Sequence, residues 1–129
     1  MLLSLVGAYG MKELRCIVFS DNELLAAILD RRRKLKEPMP EGEITGLNTE
    51  MGDGLKVNLE LDGGKRTLAL AEHEVQGALL AYCMAKNVPL PVEADKMVYL
   101  IRGKVTLMIT MNFNKQPRLV GGAAASAGR

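Results

Sequence analysis

The sequence predicts an α+β fold of six strands and two helices, built as an internal duplication of a β-α-β-β unit. Three observations carry this expectation. The chain matches itself without a gap when 19–40 (FSDNELLAAILDRRRKLKEPMP) is laid on 70–91 (LAEHEVQGALLAYCMAKNVPLP). Each copy ends in a Pro-x-Pro pair, Pro38/Pro40 and Pro89/Pro91. Each pair is followed by two strand-like runs split by a glycine turn. The identical columns are Glu23/Glu74, Ala27/Ala78, Leu29/Leu80, Pro38/Pro89 and Pro40/Pro91. The expected assembly is pseudo-twofold and mostly antiparallel, in one sheet or in two three-stranded sheets, with the helices on one face.

Taken in order, LRCIVFS (14–20) is rich in branched aliphatics and reads as the first strand. Ser20 and Glu23 form an S-x-x-E capping box, so a helix over 21–36 begins there, with Asp21 and Glu23 favoured by the positive end of its dipole. Leu24, Ala27, Ile28, Arg31 and Leu35 share its buried stripe. Pro38 stops the helix, because proline lacks an N–H and disfavours helix in the preceding residue, and Pro40 stiffens the crossing that follows. The hairpin then runs EITGLNTE, a turn at Gly52-Asp53-Gly54, and LKVNLEL, whose Leu55, Val57, Leu59 and Leu61 alternate with Lys56, Asn58 and Glu60.

In the second copy KRTLALA (65–71) is the strand, Val75, Ala78, Leu79, Tyr82 and Cys83 are the helical stripe, and Leu80, Ala81 and Met84 spread apolarity around that helix. KMVYLI, Arg102-Gly103 and KVTLMITM form the second hairpin. A single domain over 11–113, made of repeats 14–61 and 65–111, is expected to follow a flexible apolar leader at 1–10 and to precede a disordered tail at 114–129. Each repeat alone is too small to bury a sufficient core. The leader lacks the charged start of a secretory signal and is too short to span a bilayer, so the expected location is cytoplasmic and no membrane partner is expected.

The functional signals are sparse. A net charge of +2 and a pI near 8.6 fall well short of a chain devoted to nucleic acid. The single histidine, His73, lies in a helix start between Glu72 and Glu74 and reads as solvated. No nucleophile–base arrangement is supported, so no catalytic residue is assigned and an enzyme is not expected. Cys16 and Cys83 have no second thiol or histidine nearby in sequence and read as small buried hydrophobes, so no metal site and no cofactor are expected. The acidic residues of hairpin one, Glu41, Glu43, Glu50, Asp53, Glu60 and Asp62, read as a solvated face.

Two surfaces stand out. The cluster Arg31, Arg32, Arg33, Lys34 and Lys36 suits the negative end of the first helix, and it is the candidate contact for an acidic protein or a nucleic acid, with Arg32, Arg33 and Lys36 pointing to solvent. Leu80, Tyr82 and Met84 are the candidate oligomer interface, because the second helix is too apolar to leave uncovered. The leading functional reading is a small non-enzymatic interaction or regulatory module that forms a homo-oligomer. The alternatives are nucleic-acid binding through 31–36, and a small-molecule or enzyme site between the repeats.

Overall fold

A computed structural model describes residues 11–113. The order of elements is β1 (Lys12–Val18), α1 (Asp21–Leu35), β2 (Ile44–Met51), β3 (Leu55–Leu61), a 3-10 turn (Asp62–Gly64), β4 (Arg66–Leu70), α2 (Glu72–Ala85), β5 (Asp95–Ile101) and β6 (Lys104–Asn112). Among the described residues the class is α+β, with two helices and six strands, and strand, helix, strand, strand occurs twice. The expected leader and tail lie outside the described residues.

The strands form two antiparallel three-stranded sheets, β1-β6-β5 and β2-β3-β4. Each hairpin therefore takes its third strand from the other half of the chain. β1 pairs with β6 from Lys12↔Asn112 to Val18↔Thr106, and β4 pairs with β3 from Val57↔Leu70 to Leu61↔Arg66. Neither sheet is complete within one half.

Local chemistry sets the element boundaries. The capping box is formed as expected: the Glu23 N–H donates to Ser20 Oγ at 3.1 Å, and the Ser20 N–H donates to Glu23 Oε1 at 3.0 Å. At the other end of α1, Lys36 turns left-handed at φ 56° and the Glu37 N–H returns to the Arg32 carbonyl, closing the last turn before Pro38. The β5–β6 hairpin turns on Arg102 and Gly103 alone, both at positive φ, as a tight two-residue hairpin requires. In both Pro-x-Pro segments the middle residue, Met39 or Leu90, packs against the core.

Phe19, just before α1, meets Tyr82 near the end of α2, while Arg32 near the end of α1 meets Glu74 at the start of α2, so the helices run antiparallel. They pack with the inner faces of both sheets around one cluster: Leu24 and Ile28 from α1, Val75 and Leu79 from α2, Val57 and Leu59 from β3, Val98 from β5, and Leu107 and Ile109 from β6. Among the described residues no helix is long and apolar enough to cross a membrane.

Candidate functional site

The basic end of α1 is less available than the sequence suggests. Arg32 was expected to point to solvent, yet its side chain is only 12 % exposed. Its Nε donates to Glu74 Oε2 at 2.9 Å and its Nη1 donates to the Pro38 carbonyl at 2.8 Å, so it ties α1 to α2 and to the first Pro-x-Pro segment. Its i+42 partner Glu74 is invisible to helix periodicity, which explains the difference. Arg31 is half-buried with its guanidinium beside Gly77, at a distance where even a Cβ would be in ordinary contact at 3.6 Å. Arg33 and Lys34 are exposed but share one carboxylate, Asp30, at 2.6 and 3.1 Å. The Lys34 ammonium, with Arg33 beside it, holds the Asp30 carboxyl below its usual range.

Three cations, Arg33, Lys34 and Lys36, remain exposed of the five in the cluster. Released counterions from three contacts give a salt slope of about −3, well short of the six to ten contacts of a dedicated binder. The Arg32–Glu74 pair is structural. Changing Glu74 to Gln removes the charge that compensates a mostly covered guanidinium, and unfolding by denaturant is expected to show a loss of about 1.5–3 kcal/mol. Replacing Arg33 by Ala is expected to change stability by less than about 0.5 kcal/mol, because that charge is solvated.

The second predicted surface is also largely folded inward. Leu80 and Tyr82 are half-buried against the core, and the Tyr82 ring meets Phe19 edge-on at 6.3 Å between centroids while Lys86 Nζ lies 5.5 Å from its centre. Met84 alone of the three projects into solvent, 73 % exposed. α1 and the core cover the face of α2 that its composition offers for a partner.

The grooves supply little chemistry. One of about 300 Å³ lies among Phe19, Glu23, Tyr82, Cys83 and Lys86, at the lower limit for ligand sites. Its Glu23 is committed to the helix cap, where the Ser20 N–H and then the Ser20 hydroxyl hold the carboxyl below its usual range. Burial pushes the Cys83 thiol up, keeping it protonated. A smaller groove of about 180 Å³ between the helices contains His73 and Glu74, the latter occupied by Arg32. Among the described residues no group of three or more His, Cys, Asp and Glu side chains could hold a metal ion. The acidic hairpin disperses its charge: Asn48 donates to Glu60, and Asp62 is held low by Arg66 and then by the Glu43 N–H.

The least expected surface is the outer face of the β1-β6-β5 sheet. On β6, Val105, Leu107 and Ile109 face the core, so Thr106, Met108 and Thr110 lie on the other face, where Thr106 is nevertheless only 1 % exposed and Met108 and Thr110 are half-buried. Register then defines three cross-strand rows on that face: Val18–Thr106–Tyr99, Cys16–Met108–Met97 and Leu14–Thr110–Asp95. Ile101 extends the face at the hairpin end. Leu14 and Val18 are each 59 % exposed and Met97 is 52 % exposed. Cys16, expected to be buried, is exposed because its side of β1 faces away from the core, and both thiols are free. The corresponding face of the other sheet carries Glu50 and Asn48 on β2, Lys56, Asn58 and Glu60 on β3, and Thr67 on β4. The sequence signal for the apolar face is the loss of alternation: MVYLI and VTLMITM run apolar without the regular polar interruption of LKVNLEL.

No protein-family model, curated protein or solved structure matches this chain.

Proposed function

We propose that this protein is a cytoplasmic, non-enzymatic interaction module that works as a homodimer closed over the outer face of the β1-β6-β5 sheet. The observation that carries this reading is the contrast between the two sheets, one outer face apolar and the other polar. Leu14, Val18, Met97 and Ile101, with Cys16, Tyr99 and Met108 between them, form a contiguous patch of the kind that monomeric proteins seldom leave in water. A specific interface covers roughly 800 Å² per partner, and a three-stranded sheet face with its rim is of that order. Burial at about 25 cal/mol per Å² of apolar surface supplies the driving force.

The recurrence of strand, helix, strand, strand and the reciprocal exchange of β1 and β4 between hairpins support reading the chain as a duplicated unit. After duplication one outer face kept polar side chains and the other did not, which gives the two halves separate tasks. Binding of nucleic acid through the basic end of α1 has weaker support, since Arg31 and Arg32 are turned inward and Asp30 offsets Arg33 and Lys34.

Light scattering on the full chain tests the reading. A mass of twice 14.0 kDa at tens of micromolar is expected. A mass of 14.0 kDa across that range contradicts it.

A further inference from the structure

From the pattern of charge around the apolar rows, we infer that the second copy docks face to face with its twofold axis parallel to the strands, so that Lys12 pairs with Asp95 of the partner subunit. The inference rests on the homodimer reading above and goes beyond it by fixing the geometry. Lys12 and Asp95 lie at the same end of the sheet but on opposite edge strands: Lys12 on β1 beside Asn112, and Asp95 on β5 beside Thr110. Both are exposed and share the face of Leu14 and Met97.

Two closed arrangements of stacked sheets are available. An axis along the strands and over β6 lays β1 of one copy on β5 of the other with matching ends. Met108 then meets its own copy, Cys16 meets Met97 of the partner subunit, and Val18 meets Tyr99 of the partner subunit. Lys12 comes within a lysine's reach of Asp95 of the partner subunit, and the symmetry makes this contact twice. An axis across the strands lays β1 on β1 in reverse and sets each Lys12 against the apolar Val18 end of the partner subunit. The first arrangement sets Lys12 beside Asp95 of the partner subunit and keeps the apolar rows together, while the second desolvates a lysine against valine without a partner. Sheets that stack face to face keep their strands within about 30° of one another, which both arrangements respect, so the charges decide between them. Lys104, in the row of Ile101 at the hairpin end, comes opposite its own copy across the axis, and its ammonium reaches past the end of the sheet into water.

The charges give a direct test with the full chain. Lys12→Asp creates two like-charge contacts in its homodimer, and so does Asp95→Lys. Each single variant is expected to raise the dimer dissociation constant about tenfold or more, as like charges brought together across an interface do. Mixing the two single variants restores opposite charges in both contacts of the heterodimer, so the mixture is expected to associate within about threefold of the wild type. The double variant in one chain is expected to recover equally. Circular dichroism of each variant should match the wild type, since both side chains are solvated.

A wild-type dimer whose affinity is unchanged by the single reversals, or is not restored on mixing, overturns this geometry and leaves the homodimer reading standing. A wild-type chain that stays monomeric overturns both. If it is monomeric with Cys16 shielded from a thiol reagent at every concentration, the face is covered from within the chain by residues 1–10 or 114–129.

Discussion

Replacing Met97 by glutamate is expected to leave the monomer folded and to dissociate the dimer. Met97 is 52 % exposed and projects away from Val98, so a carboxylate there is solvated in the separate chain. In the dimer it would be stripped of water against apolar side chains without a cation beside it. An uncompensated buried charge costs about 3 kcal/mol or more, and symmetry places two of them in each dimer, so association should weaken by well over a hundredfold. Light scattering reads the mass and far-ultraviolet circular dichroism reads the fold. Leu14→Glu, on the opposite edge strand, should behave the same way. A Met97→Glu chain that remains dimeric would remove this face from the interface.

The opposite face of the same sheet should respond through stability. Leu107 is 0 % exposed and lies between Ile17 on β1 and Val98 on β5, on the central strand that joins the two halves of the chain. Leu107→Ala loses the transfer energy of the deleted atoms and leaves a cavity, at a cost of about 2–5 kcal/mol. That is a large part of the 5–15 kcal/mol that holds an ordinary domain together. Denaturant unfolding at one fixed protein concentration measures it, because a dimer's apparent stability depends on concentration. Leu14→Ala, on the outer face, should leave the isolated chain's stability nearly unchanged and act on association alone. The two leucines would then separate core from interface within one sheet.

Much of the fold was legible because it is written locally. The S-x-x-E box, the two Pro-x-Pro stops, Arg102-Gly103 and the alternation of Leu55, Val57, Leu59 and Leu61 each specify backbone or burial over a few residues, and each element forms there. What local pattern does not contain is the choice of distant partner. That β1 closes on β6 and β4 on β3 depends on pairing across the chain, and from it follow the exposure of Cys16 and the outward face of Leu14 and Val18. Arg32 was misplaced for the same reason: its position on α1 says solvent, and Glu74 on α2 says otherwise. The candidate interface moved from Leu80, Tyr82 and Met84 because α1 and the core cover most of α2, something that composition alone does not reveal. The signal that was present, the apolar runs in β5 and β6, marks strands whose two faces both want cover, and only one of those faces meets the helices.

Whether a second copy covers the face containing Cys16 is read from the rate at which that thiol is alkylated under native conditions. Cys16 is exposed in the single chain and central to the proposed contact, while Cys83 is buried in either state and serves as the internal reference. The Cys16 rate is expected to fall as protein concentration rises through the dissociation constant, and Met97→Glu is expected to abolish that dependence. A Cys16 that reacts rapidly at one constant rate from the lowest to the highest concentration would show the face open to water and exclude a dimer closed over it.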